Sequence, residues 1–359
     1  MQKIKELYQQ LEQSTNDTER IELLANLSAA FLNTDVKRCA EVVEQLGELA
    51  KKLNNPKAFA YYYSGLGRIS FAQSKFRGAE KAFNKAIIYA QEAESATLVS
   101  NCYHSLGMVY WKEGNFEQSL AVSLKSLEFF KNQDDHTGNE AMCYNNIGNI
   151  YERMGKYDQA EEAYLKGRDI LKGNDDVRML YNVQGNLGII KLRKKEYKKA
   201  LVFLNHVLEG FKTIGHNSGE ILTLVQIGHA HMGLNEYATA MTYYTRALKE
   251  LKKSDHKLAE AEAYRGLGNV FVALGGYDDA LKHFNKGLEL LQAVDYPSGI
   301  CEFYEDYANL YAVMNDVSKA IEMLDAGLTI SKKRKLDMET QKLKAKKALL
   351  LNTKSKVAS

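Results

Sequence analysis

The chain has 359 residues, of which 45% are hydrophobic and 26% charged, and its formal net charge is +3. That balance excludes an intrinsically disordered chain, and no run of about 18 apolar residues is present to span a bilayer. Only Pro56 and Pro297 are prolines, so helix breakers are rare and an all-α fold is expected.

Taken in chain order, the start (Met-Gln-Lys-Ile-Lys-Glu-Leu) is charged and unlike a signal peptide. A first, weak unit follows around Leu27-Ser28, with Val36 and Cys39 behind it. Then a glycine recurs at Gly67, Gly107, Gly148, Gly188, Gly228 and Gly268, at intervals of 40, 41, 40, 40 and 40 residues. Ala308 continues the series 40 residues later, and Ser28 precedes it by 39. The units at Ser28 and Ala308 lack the glycine and the turn aromatic, as expected of terminal repeats with one open neighbour. Residues 338–351 read as one further helix, with Leu343, Ala345, Ala348, Leu349 and Leu351 available to cover the last repeat. Residues 331–359 carry ten Lys/Arg against two Asp/Glu, a local +8 on a chain of +3, which leaves −5 for the remainder. The basic residues Lys342, Lys344, Lys346 and Lys347 read as a solvated helix face, with attraction to an acidic partner as the other reading. The cysteines Cys39, Cys102, Cys143 and Cys301 lie far apart without a CxxC pair, so a reducing, cytoplasmic setting is expected.

One unit shows the rule. Over residues 139–154, Met142, Tyr144, Ile147, Ile150 and Tyr151 recur at three- and four-residue steps, which predicts a helix with one apolar stripe. Gly155-Lys156 breaks it, and a second helix is predicted over residues 157–171. A mid-helix glycine costs about 1 kcal/mol relative to alanine. Its recurrence therefore points to helices crossing too closely for a side chain. Small residues twelve positions on (Ala79, Ser119, Ala160, Ala200, Ala240, Ala280, Ala320) are expected to form the other half of the crossing.

This alternation of small and aromatic residues resembles the tetratricopeptide repeat, in eight copies across nearly the whole chain. The 40-residue period exceeds the commonest 34, and the usual terminal proline is missing. The longer form is similar to the repeats of Pins-type polarity adaptors, kinesin light chains and bacterial peptide-sensing regulators of the Rap kind. The resemblance implies an all-α, right-handed superhelical solenoid of about eight helix pairs over residues 1–337, with a capping helix and basic tail over 338–359. It also implies that the first helix of each pair lines a concave groove.

Mapped onto this chain, the groove-facing positions begin with Tyr61, Arg68, Phe71, His104, Met108 and Trp111. They continue with Asn145, Asn146, Asn149, Arg153, Asn182, Asn186 and Arg193, then Gln226, His229, Met232, Arg265 and Asn269, and end with Glu302, Glu305, Asp306 and Asn309. Asparagine is a mediocre helix former, but its amide offers donors and an acceptor together, which matches a peptide backbone. Arg153, Arg193 and Arg265 would pair with peptide carboxylates, and Trp111, Met108 and Phe71 would receive an apolar anchor. In the alternative, the amides knit neighbouring repeats together. No nucleotide, hydrolase or metal motif holds up: His229 and His231 face different sides of a helix. No cofactor and no catalysis are expected, and nucleic acid is not expected because basic residues form no stripe. The sequence thus predicts a scaffold or adaptor that binds a peptide segment of a partner protein. The alternatives are the sensory part of a bacterial signalling protein and a small-peptide receptor that tightens on its ligand.

Overall fold

The computed structural model describes residues 2–32, 34–131, 137–173, 176–252 and 256–358. Among them are eighteen α-helices and no strand. The chain forms two compact units, Met1–Asp175 and Asp176–Ser359.

The first unit contains α1 (Gln2–Gln13) and four antiparallel pairs: α2 (Asp17–Phe31) with α3 (Val36–Leu53), α4 (Pro56–Ala72) with α5 (Phe76–Glu92), α6 (Ala96–Lys112) with α7 (Phe116–Lys131), and α8 (Thr137–Arg153) with α9 (Tyr157–Leu171). The second contains α10 (Val177–Arg193) with α11 (Tyr197–Thr213), α12 (Asn217–Gly233) with α13 (Tyr237–Leu251), α14 (Lys257–Ala273) with α15 (Tyr277–Ala293), and α16 (Pro297–Val313) with α17 (Val317–Lys333), followed by α18 (Asp337–Ala358). Both prolines occupy the first turn of a helix, where the missing N–H removes no internal bond.

Each glycine-bearing helix ends the same way. In α8, Gly155 is left-handed (φ 72°), its N–H donates to the Glu152 carbonyl at 2.9 Å, and the Lys156 N–H donates to Tyr151 at 2.9 Å. This is a Schellman stop, which satisfies carbonyls that the helix end would orphan. Lys195 (φ 60°) and Asn235 (φ 61°) hold the same place without being glycine.

The packing rule differs from the sequence expectation in one respect. The residue twelve positions after the glycine is fully buried in every copy, and Ser119 Oγ donates to the Gly107 carbonyl at 2.9 Å. What presses on the glycine itself, however, is the side chain sixteen positions on. A Cβ on Gly67 would lie 2.7 Å from the Phe83 ring, on Gly148 2.5 Å from Tyr164, on Gly188 2.8 Å from Leu204 and on Gly228 2.5 Å from Tyr244. A bulky side chain pressed on the helix backbone, a ring in all of these but Leu204, explains the glycine. Burying each such ring contributes about 2–3 kcal/mol.

Two terminal elements also depart from the reading. Helix α1 precedes the first repeat and packs through buried Leu7 and Leu11. In α18 only Leu343 of the five expected apolar residues is buried, while Leu349 is 67% exposed. The basic face is partly engaged rather than simply solvated. Lys342 and Lys346 pair with Glu305 at 2.7 and 3.0 Å, and Lys347 with Asp325 at 2.6 Å. No described helix is long and apolar enough to cross a membrane.

Candidate functional site

In the first unit, α6, α7 and α8 enclose an open cavity of about 300 Å³. Helix α6 contributes His104, Gly107, Met108 and Trp111; α7 contributes Ser119 and Ser123; α8 contributes Asn146, Asn149 and Ile150. Five residues that the sequence assigned to the groove face, His104, Met108, Trp111, Asn146 and Asn149, therefore meet at one opening. Met108 is 41% exposed there. Trp111 stands edge-on to Phe116 with centroids 5.4 Å apart, and the Arg153 guanidinium lies over that ring at 6.0 Å. Asn145 and Arg153 are half-buried on the same helix as Asn149.

The polar rim is ordered by internal bonds. Asn146 Nδ2 lies 3.2 Å from His104 Nδ1 and ties α8 to α6. Burial pushes the His104 imidazole below its ordinary pKa, so the ring is neutral near pH 7 and its Nδ1 can accept from the amide. Asn149 Oδ1 accepts from the Tyr164 hydroxyl at 2.7 Å.

The second unit places its predicted residues differently. Asn182 and Arg193 are exposed on α10, and Asn186 and Gln226 are half-buried on α10 and α12. His229 Nδ1 is 2.7 Å from the Tyr244 hydroxyl and its Nε2 is 3.7 Å from Glu262. Arg265 is held by Glu262 at 2.8 Å, Glu302 at 3.0 Å and Asp306 at 3.4 Å. Asn269 bonds Asp306 in turn. The sequence offered Arg265, His229 and Asn269 to a ligand, but the structure gives all three partners within the chain. Arg265 already faces three carboxylates, so it carries no surplus positive charge for a peptide acid. Glu302 and Asp306 sit one repeat ahead of Arg265, and their place on the same inner face was the signal for this pairing.

Sequence reasoning missed Ser123. It occupies the register place held by Phe83, Tyr164, Leu204, Tyr244 and Phe284 in other copies. A tally at sixteen residues past each glycine would have found it.

Residues 98–173 and 220–293 match the tetratricopeptide repeat family. Those two stretches are tetratricopeptide repeats. No curated protein matches it by sequence. Among solved structures, the chain is similar to the apo form of RapI (18% identity, covering 93% of this chain and 98% of that one, TM-score 0.70). It is similar to the apo form of the quorum sensor NprR from B. thuringiensis (16%, 91% of each chain, TM-score 0.71) and to aspartyl phosphate phosphatase F from Bacillus subtilis (15%, 91% and 87%, TM-score 0.70). NprR is also known in complex with its cognate peptide NprX (15%, 93% and 98%, TM-score 0.63). At these identities the likeness establishes the fold.

Proposed function

We propose that this tetratricopeptide chain is a non-catalytic scaffold or adaptor that holds a peptide segment of a partner protein on its glycine-bearing helices. The observation that carries the reading is the open cavity between α6, α7 and α8, with exposed Met108 and half-buried Trp111 at its mouth. An apolar side chain would enter there, while Asn145, Asn149 and Arg153 on α8 meet the adjoining backbone and charge. Asn182, Asn186, Arg193 and Gln226 are the corresponding contacts proposed for the second unit. A second reading, a sensory or regulatory repeat region of a bacterial signalling protein, is favoured by the likeness to the quorum sensor NprR, a protein that takes a cognate peptide.

The test is selection of a random heptapeptide phage library on the immobilised chain. The parent is expected to enrich a consensus. A variant with Asn149, Arg153, Asn186 and Arg193 all changed to Ala, with unchanged helical circular dichroism, is expected to bind those peptides at least about tenfold more weakly, because a few interface residues dominate affinity. Equal binding by the two chains sinks the reading.

A further inference from the structure

Within the first unit, the place sixteen residues after the register glycine is Phe83 in α5, Ser123 in α7 and Tyr164 in α9. Phe83 and Tyr164 are fully buried and lie against Gly67 and Gly148. Ser123 cannot do this for Gly107. The nearest atoms to a Cβ there would be Ser123 Oγ at 3.2 Å, Val122 Cγ2 at 3.3 Å and the Ser119 carbonyl oxygen at 3.7 Å, none of them in a ring. The cavity of about 300 Å³ opens beside that glycine, with Gly107, Ser119 and Ser123 all lining it. It is roughly twice the ~150 Å³ of an engineered cavity that takes up benzene.

We propose that this cavity is a receptor for one aromatic ring of phenylalanine type, supplied from outside the chain. That the ring belongs to a peptide rests on the function proposed above; that the slot accepts a ring does not. The fold itself defines the occupant, since the equivalent space in the flanking repeats of the same unit is filled by Phe83 and Tyr164. The walls suit a ring as well. Trp111 and Ile150 offer apolar faces, and Met108 adds a thioether, which makes favourable contacts at ring edges. Where the filling ring is a tyrosine, the residue after the glycine meets its hydroxyl: Tyr164 donates to Asn149, and the Tyr244 hydroxyl pairs with His229 Nδ1. Phe83 and Phe284 have no hydroxyl to place. Met108 occupies this place in α6 and supplies none, so phenylalanine fits better than tyrosine.

Trp111 is the only tryptophan, so emission excited at 295 nm reports on the cavity mouth alone. N-acetylphenylalaninamide, transparent at that wavelength, is the probe, and N-acetylalaninamide is the control. The parent is expected to show a saturable emission change with Kd on the order of 1 mM, as suits a ligand of this size, and no change with the control. Ser123→Phe should weaken the response about tenfold or more by filling the slot, whereas Ser123→Ala should keep it within about twofold. If Ser123→Phe fails to fold, Ser123→Leu, the residue type at Leu204 and Leu324, makes the same test. A flat parent titration, or an undiminished response from the filled variant, overturns the proposal. A parent that takes the probe but enriches no peptide supports the slot and sinks the peptide reading, so the two failures are distinguishable.

Discussion

Gly148 and Gly185 both lie inside helices, where alanine is preferred by about 1 kcal/mol, yet they should answer substitution in opposite ways. A Cβ on Gly148 would lie 2.5 Å from Tyr164, a ring that is fully buried and anchored through its hydroxyl to Asn149 at 2.7 Å. The ring cannot slide without losing that bond. Gly148→Ala should therefore destabilise by about 1–3 kcal/mol in spite of propensity. A Cβ on Gly185 would meet only Val207 Cγ1, at 3.8 Å, an ordinary contact. Gly185→Ala should stabilise by about 0.5–1 kcal/mol. Urea unfolding of both variants checks the pair, and shifts of equal sign would show that ring packing does not set the register. The existence of a tight crossing at Gly148 was legible in the sequence because a costly residue recurred. Its cause was not, because alanines twelve on and rings sixteen on both recur with the same period. Periodicity alone cannot say which of them lies over the glycine.

Repetition likewise decided which elements could be read. The pair α8 and α9 matches the predicted residues 139–154 and 157–171 closely, since each boundary is a turn repeated along the chain. Helix α1 belongs to no repeat, and its mark is the short apolar stripe Ile4, Leu7, Tyr8 and Leu11. The repeat also held a pairing that went unread. A lysine eighteen residues after the glycine sits over the tyrosine four before it, as Lys85 over Tyr63 (5.0 Å), Lys125 over Tyr103 (5.7 Å), Lys166 over Tyr144 (5.9 Å) and Lys286 over Tyr264 (5.6 Å). These second-helix lysines cover aromatic faces with their charge, a contribution of about 0.5–1 kcal/mol each at exposed sites. In α18 helical phase decides which apolar residues are buried. Leu343 and Leu350 are seven apart and share a face, with Leu343 packed against Gly327, whereas Leu349 points to solvent. Leu343→Ala should cost about 2–4 kcal/mol and Leu349→Ala less than about 0.5 kcal/mol. Hydrogen exchange of α17 amides reads the difference, because a repeat that loses its neighbour frays first. Equal protection in the two variants would deny α18 its capping role.

For the molecule as a whole, a net charge of +3 conceals an acidic cluster in the second unit that makes stability depend on pH. Two neighbouring carboxyls act in opposite directions. Glu305 is buried, which alone would raise its pKa, but Lys342 and Lys346 hold it below the usual glutamate range. Its folded pKa lies under its unfolded one, so the stability it contributes is present near neutrality and is lost on acidification. Asp306 is pushed up to about 6 by burial, reinforced by Glu305 and Glu302 and only partly offset by Arg265. Its folded pKa lies above the unfolded value. The protonated carboxyl is therefore the form that folding favours, and that advantage fades as pH rises through about 6. Asp306→Asn keeps the shape and removes the ionisation, and Arg265 still has Glu262 and Glu302 beside it. The stability of the variant relative to the parent should thus increase by about 1–2 kcal/mol between pH 5 and pH 7.5. Glu305→Gln should show the reverse trend in a more acidic window, losing ground to the parent as pH rises through the region at and below the ordinary glutamate pKa and holding level between pH 5 and pH 7.5, because it gives up an ion pair that forms as the acid deprotonates. Thermal unfolding of the three chains from about pH 3 to pH 7.5 measures both slopes. If the Asp306→Asn difference is flat or falls with pH, Asp306 is ionised throughout, and the cluster is balanced by Arg265 and the two α18 lysines without a proton.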